Sequence, residues 1–196
     1  GGQPACRTNN TGAFIVGGIV RDLLLGIENA DLDIVIEGDA IGFGGALAKR
    51  LGGALLAHNR FGTCTVFVGR DMKIDLAAAR QERYEIPAAL PEVRSGSLAS
   101  DMSRRDFTIN AMAICINKTP FGQLIDPFGG RADIVSRRIR ALHDKCFIDD
   151  PTRIFRAVRF EQRLGFAIDR RTEKLIRSAV SKDMIGALTP ERVRNE

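Results

Sequence analysis

The fold of this chain is decided by residues 14–37, FIVGGIVRDLLLGIENADLDIVIE. This stretch contains most of a short apolar strand that we predict from Ala13 to Val16. A glycine pair, Gly17 and Gly18, then leads into a helix, and a second strand follows the helix. A strand, a tight turn, a helix and a further strand are the unit from which α/β domains are built. The sequence therefore predicts the α/β class.

Two acidic residues, Asp31 and Asp33, stand at the start of the second predicted strand. Side chains i and i+2 of a strand point to the same face, so both carboxylates would project together. Carboxylates this close repel and raise each other's pKa, and a divalent cation relieves the repulsion. Mg²⁺ favours one or two carboxylates together with phosphate oxygens. The pair therefore predicts a magnesium site, although D-x-D alone is common on protein surfaces.

The glycine pair predicts the phosphate side of the same site. Gly17 and Gly18 lack side chains, so their backbone N–H groups can approach an anion, and the N-terminus of the following helix favours negative charge. Arg21 stands one turn inside that helix. A glycine pair before a helix is often only a turn. Together with Arg21 and the two acids, it predicts a site for a nucleoside triphosphate with Mg²⁺.

Composition limits the classes of protein that fit. The 196 residues are 44% hydrophobic, enough for one domain and a small appendage. No apolar run is long enough to span a membrane, and the polar start shows no signal peptide. Wide spacing of the cysteines argues against a metal site and favours free thiols in a reducing cytoplasm. These cysteines are Cys6, Cys64, Cys115 and Cys146.

Positive charge is concentrated in one part of the chain. The net charge is +5, and residues 131–177 carry thirteen Lys and Arg against seven Asp and Glu. This segment therefore accounts for the positive excess of the whole chain. A polyanionic partner such as RNA would explain the excess, and a solvated helix surface would explain it equally well.

The middle of the chain predicts a helix and three strands. Asp39 would cap the helix, which runs to about Leu51. The strands are expected over residues 54–57, 63–68 and 72–77. Asp75 lies in the last of them, and a lone acid in an apolar strand usually faces water at a sheet edge. If this strand lies beside the strand of Asp31 and Asp33, Asp75 becomes a third candidate metal ligand.

The next segment predicts a loop and a pair of arginines. Residues 79–100 contain two prolines, mixed charge and little periodicity, so we expect a long mobile loop that faces the substrate. A short helix would then carry Arg104, Arg105 and Asp106, before a buried strand over residues 111–116. Guanidinium groups bind phosphate through two parallel hydrogen bonds, so the arginines suit a triphosphate or ribose contact. An ordinary surface ion pair is the alternative.

Strand patterns end after residues 138–142, and helices are predicted from there on. Pro151 fits the first turn of a helix, with Asp149 or Asp150 as its cap. We divide the chain into a linker or fragment end, a catalytic head and a helical neck that we expect to be truncated before further helical domains. These parts cover residues 1–12, 13–143 and 144–196.

Six motifs follow one another in a fixed order. They are GGIVRDLLLG (17–26), DLD (31–33), RRDFTINA (104–111), DPFGG (126–130), DPTRIFRAVRF (150–160) and ER (191–192). In this order they resemble the head and neck of class II tRNA nucleotidyltransferases, the CCA-adding enzyme group that includes bacterial poly(A) polymerases. The resemblance covers nearly the whole chain after Ala13. The nucleotide-selecting motif of that family reads Glu-Asp-x-x-Arg, and Asp149 takes its first place here.

The resemblance implies both a fold and an activity. The fold is a nucleotidyltransferase head with a small mixed five-stranded sheet, followed by an all-helical neck. The activity is template-independent addition of C, A or both to the 3′ end of tRNA from CTP and ATP, with release of pyrophosphate, in the cytoplasm. Two Mg²⁺ ions would be held by Asp31 and Asp33. Nucleotide contacts are implied for Gly17, Gly18, Arg21, Arg104, Arg105, Asp106, Arg156 and Arg159.

Asp150 and Arg153 have a separate chemical interpretation. Spaced three apart, they would share one helical face. Arginine only donates hydrogen bonds and aspartate only accepts them, so the pair could recognise the acceptor and donor edges of both cytosine and adenine. Uracil and guanine carry an N–H where an acceptor is needed, and the unpaired arginine would reject them. The alternative is an exposed ion pair worth a few tenths of a kcal/mol.

Three other functions remain open on the sequence. The head and neck motifs are shared by poly(A) polymerases that act on RNA 3′ ends. The chain could also be a nucleotide-binding module without turnover, although a module of that kind could lose one acid of the D-x-D pair at little cost. Transfer of a nucleotide to a small molecule is the third, and the basic segment at residues 131–177 favours RNA over it.

Overall fold

The computed structural model describes residues 11–83, 92–117, 120–194 and 196. The predicted linker over residues 1–12 therefore lies outside the described residues except for its last two positions, and Cys6 lies outside them as well. The other three cysteines are buried free thiols, as the sequence predicted. None of the helices in the described part of the chain is long and apolar enough to cross a membrane.

Within the described ranges, seven strands form one mixed sheet, and four others form two small pairs. The strands are β1 (Ala13–Val16), β2 (Leu32–Ile36), β3 (Ala54–His58), β4 (Thr63–Val68), β5 (Met72–Ala78), β6 (Arg80–Arg83), β7 (Glu92–Ser95), β8 (Ala113–Cys115), β9 (Leu124–Ile125), β10 (Arg138–Ile139) and β11 (Ala167–Ile168). The order across the main sheet is β3-β4-β5-β2-β1-β8-β9. Strands β2 and β5 are parallel, and the other neighbours are antiparallel.

Helices cover the sheet and make up most of the last third of the chain. They are α1 (Gly18–Leu25), α2 (Ala40–Leu51), α3 (Leu98–Ser103), α4 (Gly130–Val135), α5 (Cys146–Asp149), α6 (Thr152–Leu164), α7 (Arg170–Ser181) and α8 (Pro190–Arg194). Asp39 caps α2 as predicted, because its carboxylate accepts from the backbone N–H of Gly42 at 2.9 Å. A Cβ at Gly44 would lie 2.5 Å from Cys64 Sγ, so the close approach of α2 to β4 requires glycine there.

The sheet positions the glycine turn. Strand β1 lies between β2 and β8, so both of its edges are paired. Ala13 packs in one hydrophobic cluster while Phe14 and Val16 pack in another, so both faces of β1 are covered, and this explains its uninterrupted apolar sequence. The chain leaves β1 through Gly17, whose φ of 77° favours glycine, and enters α1 at Gly18. Antiparallel pairing of Ile15 with Ile34 brings this turn to the beginning of β2. The phosphate and metal halves of the predicted site therefore meet.

Three predictions about strands are wrong. The sheet has seven strands and not five, partly because β9 is only two residues long and leaves no pattern in the sequence. Residues 79–100 were predicted to be a long loop, but they contain an antiparallel pair of strands, β6 and β7. The residues between these strands, 84–91, lie outside the described part. Only two residues of 138–142 form a strand, and it pairs with β11 away from the main sheet.

One hydrophobic core joins the predicted head to the predicted neck. Phe107 is fully buried, and its ring packs against Phe147 and Phe160 at centroid distances of 6.3 and 5.8 Å. The contact with Phe160 is edge-to-face, a favourable arrangement of two aromatic rings. The same core includes Val20 of α1, so the glycine turn and α6 are fixed relative to each other.

Replacing Phe107 by alanine is expected to lower the free energy of unfolding by about 3–5 kcal/mol, the usual cost of a large cavity in a core. Urea denaturation followed by circular dichroism measures the change. Phe121→Ala is the matched control, because that ring is 77% exposed and its removal should cost less than about 0.5 kcal/mol. Equal small losses in both variants would show that Phe107 does not hold the two parts together.

Candidate active site

A cavity of about 730 Å³ opens between the glycine turn, the start of β2, α6 and α8. Twelve of the thirteen candidate residues line it: Gly17, Gly18, Arg21, Asp31, Asp33, Arg104, Arg105, Asp106, Asp150, Arg153, Arg156 and Arg159. The other one, Asp75, lines a second cavity of about 370 Å³, which shares Asp33, Arg104 and Arg105 with the first. The fold thus brings residues from distant parts of the sequence to one place.

Asp31 and Asp33 lie where β2 begins. Asp31 directly precedes the strand and Asp33 is its second residue. The side chain of Asn29 accepts the backbone N–H of Asp31 at 2.8 Å and fixes the approach to the strand. Within the described ranges, neither carboxylate forms a side-chain hydrogen bond or ion pair. Two unpaired carboxylates beside an arginine-lined cavity are free to bind a cation.

The pKa of Asp33 is raised. The main cause is desolvation by the neighbouring walls of the cavity, although the residue remains exposed to solvent. The carboxylates of Asp75 and Asp31 raise it further, and the guanidinium of Arg105 opposes them. The protein itself therefore disfavours negative charge on Asp33, and a bound cation would relieve that cost.

Asp75 has partners of its own. Its strand, β5, lies beside β2, which is the condition under which the sequence made Asp75 a candidate metal ligand. Asp75 is in register with Asp33 in this parallel pair. Its carboxylate accepts from the hydroxyl of Thr65 at 2.6 Å and forms an ion pair with Lys73 at 2.6 Å. Burial alone would raise the pKa of Asp75, but these two partners hold it below its ordinary value. Among residues 11–83, 92–117, 120–194 and 196, no three His, Cys, Asp or Glu side chains are arranged to hold a metal.

Arg21 is engaged inside the protein. Its Nε and Nη2 both lie 2.7 Å from Oδ1 of Asp22, and Nη1 donates to Oδ1 of Asn110 at 2.7 Å. Its guanidinium also stacks on the ring of Phe160, 5.1 Å from the centroid. Both Arg21 and Asp22 are almost fully buried. Arg21 lines the cavity as predicted, but most of its donors are already used to join α1 to the rest of the core.

The helix expected around Arg104, Arg105 and Asp106 ends earlier, because α3 stops at Ser103. Outside the helix, both arginines turn back and bind the buried carboxylate of Asp101. The guanidinium groups of Arg104 and Arg105 therefore do not form the surface ion pair with Asp106 that was the alternative to nucleotide binding. Asp106 is buried too and accepts from Arg156 Nε at 2.7 Å.

Asp150 and Arg153 do not share a helical face, which corrects the sequence argument. Helix α6 begins at Thr152, and Asp150 lies before it with an extended backbone (φ −140°, ψ 96°), because the ring of Pro151 disfavours helical backbone at the residue before it. Asp150 Oδ1 accepts from Arg192 of α8 at 2.9 Å and from the Thr152 hydroxyl at 2.7 Å. Both residues nevertheless reach the cavity, and Arg153 is buried in its wall.

Arg156 and Arg159 follow Arg153 along α6 and face the same cavity. Arg156 pairs with Asp106, and Arg159 forms an ion pair with Glu196. The side chain of Arg159 is 47% exposed, so it is the more accessible of the two. Spacing of three residues thus places a row of guanidinium groups along one side of the cavity, as the motif order implied.

The sequence analysis missed several buried polar residues that hold this site together. They are Asp22, Glu82, Asp101 and Asn110. Each stands close in sequence to a predicted site residue or in the segment that was expected to be a loop, and single acids are usually exposed. Asp22 and Asn110 lie inside two of the six motifs, residues 17–26 and 104–111, and their place in these motifs could have indicated a role in the site.

Comparison with known proteins agrees with this geometry. Residues 13–140 match the sequence profile of the poly A polymerase head domain. The A-adding tRNA nucleotidyltransferase of Geobacter sulfurreducens is 49% identical over 93% of this chain and 21% of that protein. The CC-adding tRNA nucleotidyltransferase of Deinococcus radiodurans is 38% identical over 79% of this chain and 41% of that protein.

Solved structures are similar over almost the whole chain. A CCA-adding enzyme in apo form II superposes with a TM-score of 0.91 at 46% identity, over 95% of this chain and 44% of that one. A tRNA nucleotidyltransferase complexed with a primer tRNA and an incoming ATP analog gives 0.85 at 44% identity, over 94% and 51%. The chain thus spans about half or less of the length of these relatives. By sequence and by fold, it belongs to the poly A polymerase head-domain family.

Proposed function

We propose that this chain is the catalytic part of an RNA nucleotidyltransferase that adds C, A or both to the 3′ end of tRNA and releases pyrophosphate. The observation that carries the proposal is the pair of unpaired carboxylates, Asp31 and Asp33, beside a glycine turn and an arginine-lined cavity. Two relatives named as A-adding and CC-adding tRNA nucleotidyltransferases support the choice of RNA end.

The residues present fit magnesium. Asp31 and Asp33 offer only oxygen ligands, and Mg²⁺ is usually bound by one or two carboxylates with water and phosphate in the other positions. Desolvation and the carboxylates of Asp75 and Asp31 raise the pKa of Asp33 despite the opposing charges of Arg105 and Lys73, and a bound cation would offset that cost. When bound, two Mg²⁺ ions would acidify the attacking hydroxyl and stabilise the pyrophosphate leaving group. Asp75 is a further candidate ligand only if Lys73 releases it.

The chain's own residues would orient the triphosphate. The φ of 77° at Gly17 leaves the turn open to a phosphate, and the N–H groups at the start of α1 favour its charge. Arg105, Arg156 and Arg159 reach the cavity from two sides and would contact phosphate or ribose oxygens. Arg21 would add positive charge from its buried position.

The second cavity gives the acceptor RNA a way in. The glycine turn is on the β1 side of Asp33, and the second cavity, with Thr63, Thr65 and His58, is on the β5 side. An in-line displacement needs the attacking and leaving oxygens on opposite sides of the phosphorus. A 3′-hydroxyl that enters along β4 and β5 would meet this condition at Asp33.

Asp150 and Arg153 would select the base. Both line the cavity on the side of α6, where a nucleotide with its triphosphate at the glycine turn could extend its base. Asp150 only accepts and Arg153 only donates, which suits cytosine and adenine, whereas uracil and guanine present an N–H where the arginine needs an acceptor. Arg192 holds Asp150 in place through its 2.9 Å contact.

The basic segment would meet the RNA outside the cavity. Four of its arginines, at positions 153, 156, 159 and 163, line the cavity, and the exposed cations include Arg170, Lys174 and Arg177 of α7. Exposed cations attract the phosphate backbone without regard to sequence. Addition to tRNA would take place in the cytoplasm, where the free thiols Cys64, Cys115 and Cys146 would stay reduced.

One assay tests the function. The protein is incubated with tRNAs that end before CCA, at C and at CC, each with a single nucleoside triphosphate, and products are resolved to one nucleotide. We expect extension by C, by A or by both, and none with UTP or GTP. Long runs of A on any RNA would indicate a poly(A) polymerase. Nucleotide binding without extension would indicate a non-catalytic module and contradict the proposal.

A further inference from the structure

Arg104 and Arg105, which line both cavities, share one buried acid, while Arg104 Nη1 also binds Glu82 at 2.7 Å and Arg105 Nη1 donates to the Asn110 backbone oxygen at 3.3 Å. Asp101 lies in α3 and is fully buried. Its Oδ1 accepts from Nε and Nη2 of Arg104 at 3.1 and 2.6 Å. Its Oδ2 accepts from Nε and Nη2 of Arg105 at 3.3 and 2.9 Å. Each carboxylate oxygen thus binds one guanidinium fork.

Electrostatics favours the ionised form of this acid. Burial alone would raise the pKa of Asp101, but the guanidiniums of Arg105 and Arg104 more than offset burial and hold the pKa below its ordinary value. A charged carboxylate with four hydrogen bonds is a rigid anchor, because charge-assisted bonds are about twice as strong as neutral ones.

The anchored groups lie at the proposed reaction site. A Cβ built on Gly17 would lie 3.1 Å from Arg105 Nη1 and 3.9 Å from Asp33 Oδ2, so guanidinium and carboxylate meet over the glycine turn. Arg104 and Arg105 both line both cavities. The backbone oxygen of Arg104 also accepts from Arg153 Nη2 at 2.9 Å, which connects the anchor to the residue proposed to select the base.

We infer that Asp101 is a positioning residue for nucleotide binding: it holds Arg104 and Arg105 between the two cavities so that they face the triphosphate. The inference rests on the proposed function for the identity of that ligand. Without the anchor, Arg105 would keep its 3.3 Å contact to the Asn110 backbone oxygen and could turn toward Asp33, with which it already interacts electrostatically, and it would then occupy the place of the cation and the phosphate.

Asp101→Asn tests the inference. Asparagine keeps one accepting oxygen but replaces the other by an N–H₂ donor, so one guanidinium loses its partner. We expect the Kd of a non-hydrolysable ATP or CTP analogue and the KM for the nucleotide to rise about tenfold, the usual effect of losing charge-assisted bonds. The KM for tRNA should stay within about twofold, a split that a general loss of stability would not produce.

Asp133→Asn is the matched control. Asp133 is also buried, and it binds Arg140 Nε at 2.8 Å and the Thr108 hydroxyl, but it does not line either cavity. This variant should lose stability and keep its nucleotide Kd. Should Asp101→Asn not fold, Asp101→Glu retains the charge but shifts the carboxylate by one methylene, and the same rise is expected.

An unchanged Kd in a folded Asp101 variant would overturn the inference, and so would an equal rise in the Asp133 control. The result is separable from the proposed function. If the unaltered protein binds nucleotides but extends no RNA, the proposed function fails, whereas the comparison of Kd values between variants still tests the anchor.

Discussion

Asp33→Ala and Asp31→Ala are each expected to reduce nucleotide transfer by about a thousandfold or more, because metal ions contribute several kcal/mol to transition-state stabilisation and each 1.36 kcal/mol is tenfold in rate. The physical reason is that, among the residues that the structure describes, these two cavity carboxylates form no side-chain hydrogen bond or ion pair. Nucleotide binding should survive in part, since the glycine turn and the arginines remain. Single-turnover extension of a tRNA primer measures the first effect, and calorimetry with a nucleotide analogue measures the second.

Two other acids serve as controls for this prediction. Asp71, in the exposed turn between β4 and β5, should be replaceable by alanine with no loss of transfer. Asp75→Ala should cost much less than Asp33→Ala, because its carboxylate is paired with Lys73 and Thr65. A loss as large as that of Asp33 would instead make Asp75 a metal ligand. Normal turnover by Asp31→Ala or Asp33→Ala would refute the metal assignment.

Arg153→Ala is expected to relax the exclusion of UTP. The ratio of kcat/KM for CTP over UTP should fall by about tenfold to a hundredfold, the range that corresponds to one hydrogen bond to a charged group. Arg153 is buried in the cavity wall, so a base that presents an N–H to it adds a donor where the guanidinium requires an acceptor, and the alanine variant removes that penalty.

Arg177→Ala is the control for the selectivity measurement. Arg177 lies on α7, is exposed and pairs only locally with Glu173, so the ratio for CTP over UTP should not change. Because Arg153 also donates to the backbone oxygen of Arg104, its loss should lower overall activity as well. A fall in activity with an unchanged ratio would show that Arg153 supports the wall of the cavity and does not read the base.

Local signals in the sequence were sufficient for the first third of the fold. The glycine turn, the cap at Asp39 and the strand at residues 63–68 depend on neighbouring residues, and each was predicted close to its observed place. The pairing of Asp33 with Asp75 is different, because it depends on which strands become neighbours. The sequence analysis could name the arrangement of β5 beside β2 as a possibility, but a local pattern does not determine which strands become neighbours.

The errors arose where tertiary contacts override a local pattern. In helix α6 the apolar Val158 is exposed and the charged Arg153 is buried, because Cys146 and the Arg104 backbone supply Arg153 with hydrogen-bond partners. Asp101 is a different case, because the two arginines that bind it follow three and four residues later, a spacing that the sequence analysis did not use. A buried polar group such as Arg153, whose acceptor on Arg104 is 49 residues away, cannot be found from a local pattern.

The central claim is that Asp31 and Asp33 bind the metal at which the triphosphate is opened. The most direct test is a crystal structure of the protein with Mn²⁺, a non-hydrolysable ATP or CTP analogue and anomalous data that locate the metal. The account predicts metal bound between these two carboxylates and the phosphates, with the triphosphate at Gly17 and Gly18. Metal bound elsewhere, or a nucleotide outside the cavity with the two carboxylates turned apart, would contradict it.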